Sequence, residues 1–249
     1  MNPAPDPAPR RLPLPEITGL FATPFAQVEL PAHETLDERL REKFFAWEKA
    51  PDPGARNRPS PVGKYNLHES TFDLFERPDP DVEHLARFAL TMLGAVVQRL
   101  NGYDPEEMAA LRFYHHSWFH ITRPGGHMNA HNHPLASWSG VYCVSDGEPE
   151  GDDPQNGCMR FFDPRAQCTM YLDPGNSHLL APYATGLLVH AHRPGLLTLF
   201  PSYLLHDVAP FHGRRERITV AFNAWVRYAD QPNVEPGIRP RPLRVTPRP

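Results

Sequence analysis

The chain has little cysteine. Three of its 249 residues are Cys, at 143, 158 and 168. An odd, sparse set with no C-x-x-C pair excludes a disulfide framework and points to a reducing compartment. No long basic run occurs and the net charge is −4, so the electrostatic footprint that phosphate backbones demand is missing and nucleic acid is excluded as a partner. No apolar stretch follows Arg10 and Arg11 that would form a signal-peptide core, and none approaches membrane-spanning length. The expected location is cytoplasmic, without membrane contact. What remains, at 40% hydrophobic and 22% charged residues, is a globular chain long enough for one sizeable core.

Proline and histidine are abundant instead, with 31 and 14 copies. Prolines gather at both ends, so residues 1–15 and 229–249 are expected to be flexible tails around one domain at 16–228. Residues 18–30 read as extended. Thr35 to Glu38 has the capping-box form that starts a helix, continued by Leu36, Leu40, Phe44 and Trp47 at helical spacing. A second helix is signalled by Asp79 as N-cap, Pro80 at the first position and Asn101-Gly102 as the stop, with Val82, Leu85, Phe88, Met92, Val96 and Leu100 as its apolar stripe. These helices are scaffold.

From residue 111 the pattern changes to short runs of period-two alternation separated by turn residues. Strands are expected at 111–121, 127–133, 138–144, 158–162, 187–192, 195–200 and 217–227. The fold class is therefore mainly β, with N-terminal helices supporting one face of a sandwich or barrel.

Histidines cluster at His127, His131 and His133. In a strand, residues i and i+2 share a face, so His131 and His133 can converge on one ion. The pattern is cheap, because His190 and His192 repeat it. Downstream, residues 194–206 read PGLLTLFPSYLLH, an apolar strand and a Pro-Ser corner ending in His206. The strand opened by Arg217 then places Arg217, Thr219, Ala221 and Asn223 on one face. An arginine offers a planar fork for a carboxylate and the threonine hydroxyl a further hydrogen bond; a surface ion pair with Glu216 or a neighbour explains the strand equally well.

The order H-x-H-P, SGVYxV, FxDPR, PGxLxLFPSxLxH, ERITVxFN, preceded by GLFATPF, resembles a bacterial branch of the 2-oxoglutarate/Fe(II) oxygenase superfamily, over residues 16–228. The resemblance implies a double-stranded β-helix (a jelly-roll, cupin-like barrel). It makes His131 and His206 iron ligands, and Arg217, helped by Thr219, the anchor of the far carboxylate of 2-oxoglutarate. Asn223 on the same face and Tyr142 on the SGVYCV strand are further co-substrate candidates. Most of the superfamily has a carboxylate where this chain has His133. Either three histidines bind the metal, which is the favoured set, or an acid such as Asp163 takes the place; Asp207 points to the wrong face. His190 and His192 match nothing in the pattern. Trp118, Trp138 and Trp225 read as core or pocket wall.

The implied reaction uses Fe(II), 2-oxoglutarate and O2, releases succinate and CO2, and hydroxylates a C–H bond of a small-molecule substrate such as an amino acid, peptide or secondary metabolite. Loops 50–76 and 145–157 are expected to select it. Two alternatives are a cupin-type metal dioxygenase or isomerase, whose usual glutamate after H-x-H is missing from residues 134–140, and a non-catalytic metal-binding β-barrel. Sequence does not speak to oligomeric state.

Overall fold

The computed structural model describes residues 17, 19–50, 62–165 and 171–229. Apart from Ala229, the expected tails lie outside these residues, as does Cys168. Among the described residues the strands are β1 (Ala26–Glu29), β2 (Lys64–Glu69), β3 (Leu111–His131), β4 (Trp138–Ser145), β5 (Met159–Phe162), β6 (Leu187–His190), β7 (Leu196–Pro201), β8 (His206–Val208) and β9 (Arg217–Tyr228). The α-helices are α1 (Glu34–Lys49), α2 (Pro80–Asn101) and the short α3 (Pro105–Ala109), with a 3₁₀ turn at Leu74–Glu76.

Every strand pairing is antiparallel, in the order β1-β7-β4-β9-β3-β8-β5-β6, with β2 added beside β3. Two expected strands, 111–121 and 127–133, are one continuous β3. Its residues Leu111–Thr122 pair with β9, whereas Met128 and His131 pair with β8. One strand thus joins two stretches of a single sheet, which curls over on itself there. Gly126 sits at the changeover, where a Cβ would meet the carbonyl oxygens of Arg123 and Asn66 at 2.7 Å; a side chain would push the backbones apart.

Alternation sets the two faces of the larger layer. Leu197 and Leu199, Tyr142 and Val144, Ile218, Val220 and Phe222, and Phe119 and Ile121 face α1 and α2 in one buried cluster. Phe44 of α1 stacks on Phe119 with ring centroids 4.2 Å apart, and a fully buried side chain of that size contributes roughly 2–3 kcal/mol. Their neighbours in sequence, including Thr198, Val141, Thr219, Ala221 and Trp118, take the opposite face, toward the inside of the curl.

The ends of α2 match their signals. The Asp79 carboxylate accepts from the N–H groups of Asp81 and Val82, and Gly102 closes the helix at φ 68°. Its buried stripe differs, because Val82, Leu85, Ala86, Ala89, Leu93 and Val97 are buried while Leu100 is exposed. Small alanines let the helix lie close and rotate that face inward. Helix α1 also begins earlier than the capping box suggests: His33 is the N-cap and makes no side-chain cap bond, and Thr35 lies inside the first turn. His33 Nδ1 instead meets Asp37 Oδ2 at 2.7 Å. Strands β2 and β8 and helix α3 were not anticipated. No described helix is long and apolar enough to cross a membrane.

Candidate metal and co-substrate site

His131 ends β3 and pairs in register with His206, the first residue of β8. Those two facing positions bring the histidines together, with ring centroids 4.4 Å apart. His133 lies beyond the strand rather than within it, in a turn held by its own N–H donating to the Ser202 carbonyl at 2.8 Å. The turn still swings its ring to within 5.1 and 5.4 Å of the other two. One nitrogen from each of His131, His133 and His206 lies within 4.8 Å of the others, and no aspartate or glutamate among the described residues joins them.

Protons on two of these rings are fixed by the backbone. His131 Nδ1 is 2.8 Å from the Asn129 carbonyl and His206 Nδ1 is 2.9 Å from that of Leu204. A carbonyl only accepts, so each Nδ1 carries the proton and each Nε2 keeps a free lone pair, the state that ligates a metal. Burial, then the neighbouring imidazoles, pushes His206 down to about 3 and His133 down to about 4, and burial lowers His131 as well. All three are neutral at pH 7. The donor set fits a divalent ion that accepts imidazole nitrogen.

The cluster opens on a cavity of about 430 Å³ that also takes in Arg217, Thr219, Asn223, Trp118 and Trp225. Arg217 is 4% exposed, and among the described residues no carboxylate or other hydrogen-bonding side chain meets its guanidinium. Burial pulls its pKa below the ordinary arginine value. Glu216 is not its partner, so the surface ion-pair explanation fails. A buried cation with nothing opposite is costly unless a ligand supplies the anion.

Other expected positions fall elsewhere. Tyr142 faces the helices, not the cavity: its hydroxyl donates to Asp37 Oδ1 of α1 at 2.8 Å, and it is 1% exposed. The alternation of β4 turns Val141 inward in its place. Asp163 pairs with Arg165 at 2.8 Å and lines a second cavity with Phe21, Phe25 and Leu204, away from the histidines. Asp207 pairs with Arg160 at 2.6 Å. Trp138 packs on the helix side of the sheet.

One polar group in the cavity wall was missed. Glu69 receives Lys64 Nζ at 2.6 Å and lies 2.8 Å from His120 Nε2, and all three line the cavity. Burial alone would raise the Glu69 carboxyl, but hydrogen bonds and charge from His120 and Lys64 outweigh it and bring it down to about 2. Burial lowers His120, and its Nε2 lies both 2.8 Å from the Glu69 carboxylate and 3.1 Å from the indole N–H of Trp118. Residues 64 and 69 would face opposite ways on a regular strand. A bulge between Tyr65 and Leu67 turns both to one side, and a single sequence carries no clear mark of it. Val62, Leu67 and Phe72 line the cavity too, so the 50–76 segment contributes to it, whereas nothing from 145–157 does so.

A family model described as "Putative 2OG-Fe(II) oxygenase" matches residues 116–223, which span the three histidines and Arg217. No curated protein matches the sequence. Among solved structures the chain is similar to a prolyl-4-hydroxylase from Pseudomonas putida, at 17% identity and a TM-score of 0.50, covering 84% of this chain and 94% of that one. It is similar to the non-haem alpha ketoglutarate dependent carbocyclase SnoK of nogalamycin biosynthesis, at 13% and 0.54, covering 83% and 82%. A prolyl hydroxylase from Trichoplax adhaerens, in complex with a hypoxia inducible factor peptide fragment, is similar at 10% and 0.51, covering 81% and 83%. At such identities the likeness is one of fold, a double-stranded β-helix.

Proposed function

From the match of residues 116–223 to the 2OG-Fe(II) oxygenase family model, we propose that the chain is an Fe(II)- and 2-oxoglutarate-dependent oxygenase that hydroxylates a C–H bond of a small-molecule or amino-acid-like substrate. One observation carries the reading. A cluster of three neutral histidines, His206 buried and His131 and His133 half-buried, shares a cavity with a buried arginine that meets no anion among the described residues. The first suits a ferrous ion and the second a dicarboxylate, and the two together suit a co-substrate that chelates metal at one end and carries a free carboxylate at the other.

His131, His133 and His206 would hold the iron. When bound, iron and 2-oxoglutarate supply the oxidising power that turns O2 on a C–H bond, with succinate and CO2 released. The chain's own residues bind and orient. Arg217 grips the distal carboxylate through its fork, Thr219 beside it offers a hydroxyl, and Asn223, whose Oδ1 accepts from Ser139 Oγ at 2.7 Å, keeps its amide N–H groups for the cavity. Trp118, Trp225 and Phe72 give the remaining wall an apolar surface that excludes water and packs a substrate. Tyr142 has no part in this.

Three histidines without a carboxylate also suit a cupin-type metal dioxygenase or isomerase, in which Arg217 would be idle. Anaerobic Fe(II) titration separates the readings. A visible charge-transfer band that appears only after 2-oxoglutarate is added is the expected result; iron binding without such a band refutes the oxygenase.

A further inference from the structure

Among the described residues that line the main cavity, Glu69 is the one acid, and Lys64 and Arg217 are the strong bases. Lys64 lies on β2 in register with Met128 of β3, whose partner on the other side is Val208 of β8. The ammonium therefore enters the cavity from the strand next to the one that carries His131. Its Nζ donates to Glu69 Oε1 at 2.6 Å and reaches Oε2 as well. An ammonium has three N–H groups, and two carboxylate oxygens take at most two of them. Among the described residues no other acceptor meets the third.

The wall beside this pair is continuous with the metal cluster. Glu69 Oε2 is 2.8 Å from His120 Nε2, which is 3.1 Å from Trp118 Nε1. The Trp118 ring meets Phe72 edge-on at 5.0 Å and lies 6.2 Å from the His133 ring. A charged donor and an apolar aromatic surface thus face one space.

Charges in that space do not cancel once it is filled as an oxygenase. Lys64 and Glu69 neutralise each other. A ligating imidazole is neutral, so His131, His133 and His206 bring no charge where the commoner triad brings a carboxylate. The 2-oxoglutarate dianion offsets a ferrous ion, and the charge of Arg217 is left over. His116, His120 and His127, the other titratable side chains of the wall, are neutral or positive and never negative. Because the Arg217 fork is matched by the distal carboxylate, the surplus positive charge falls at the histidine end. Inside a protein cavity such a surplus draws an anion and repels a cation.

We propose that the substrate is an organic carboxylate without a free amine, its carboxylate taken by the remaining N–H of Lys64 and its apolar body packed on Trp118 and Phe72. The inference rests on the oxygenase reading and names its substrate class. Glu69 is a positioning residue that holds the ammonium in the cavity. A substrate ammonium would meet no further acid in the wall, since Glu69 is already engaged by Lys64.

The test reads binding rather than turnover. On the anaerobic Fe(II) protein with 2-oxoglutarate, dissociation constants are measured by calorimetry for benzoate, phenylacetate and 3-phenylpropanoate and for the matching amides, which keep the shape and drop the charge. The charge-transfer band is followed in each titration to show that 2-oxoglutarate stays bound. At least one acid is expected to bind about tenfold or more tighter than its amide, the usual effect of a hydrogen bond to a charged group, with the band kept. Lys64→Met should abolish that preference, and Glu69→Gln should keep or strengthen it. Both break the same ion pair, so a merely structural role would move the two alike. If Lys64→Met does not fold, Lys64→Met combined with Glu69→Gln, which leaves no charge of the pair behind, is read in its place, with a ratio below wild type expected. No acid preferred over its amide, an acid that binds only by erasing the band, or a wild-type ratio without Lys64 overturns this assignment alone. Wild-type protein that shows no band with 2-oxoglutarate overturns the oxygenase reading and this assignment with it.

Discussion

Replacing Arg217 with methionine should move stability and co-substrate binding in opposite directions. The guanidinium is buried and, among the described residues, unpaired, so the ligand-free protein bears the cost of desolvating a charge with no ion pair to offset it. Replacing even a buried ion pair by apolar side chains of similar volume is often neutral or stabilising by about 1–4 kcal/mol, and a charge without a pair has less attraction to lose. At roughly 2–4 °C per kcal/mol for a chain of this size, the metal-free variant should melt several degrees higher. Binding goes the other way. Two charge-assisted hydrogen bonds from the fork, each about 1.5–3 kcal/mol, amount to about 3–6 kcal/mol, or a loss of roughly 10² to 10⁴ in 2-oxoglutarate affinity. Arg217→Lys, which keeps the charge and loses the fork, should lie between. Urea unfolding of the metal-free protein and anaerobic titration with 2-oxoglutarate read the two effects. A methionine variant that is less stable than wild type would show that the fold itself pairs this arginine. One that binds 2-oxoglutarate normally would remove Arg217 from the site.

His206→Ala should lose iron and coupled turnover, since one of three ligands is gone, whereas His190→Ala and His192→Ala should retain iron by metal analysis after dialysis. His133→Ala should weaken iron by about tenfold or more and His133→Asp should keep it; an alanine variant with wild-type affinity would take His133 out of the ligand set. Iron affinity of the wild type should show no fall between pH 7.5 and pH 6.5, because burial has moved all three ligands below the ordinary histidine value of 6.5, His133 to about 4 and His206 to about 3; an affinity that already falls in that range contradicts this. Burial raises the Asp37 carboxyl from 3.8 to about 6 against the opposing hydrogen bonds from Tyr142 and His33. The folded state thus binds this proton more tightly than the unfolded state, and its contribution is greatest below pH 3.8 and is lost as pH rises through 6. The difference is on the order of 3 kcal/mol. Asp37→Asn should therefore gain stability relative to wild type at pH 8 and little at pH 4, by denaturant unfolding at each pH.

Local chemistry was enough for much of this molecule. An Asp that caps, a Pro at the first helical position and a Gly tolerant of positive φ delimit α2 within its own sequence, because each acts on neighbouring backbone. Period-two alternation likewise puts Arg217, Thr219 and Asn223 on one face whatever surrounds the strand, and the order of motifs singled out His131 and His206. Other features depended on partners distant in the chain. Alternation places Tyr142 opposite Val141 without saying which of them looks inward. That was decided by α1 and α2, which cover one face of the sheet and offer Asp37 to the tyrosine hydroxyl. The bulge that brings Lys64 and Glu69 to one side exists only in register with β3, and His133 reaches the other ligands from a turn pinned by Ser202, not from a strand. His192 reads as one more strand histidine until Thr198 closes on it and on His190, its hydroxyl 2.9 Å from Nε2 of each. A proton's place on an imidazole depends on what the other nitrogen meets, and that meeting is made only when β6 and β7 come together inside the barrel.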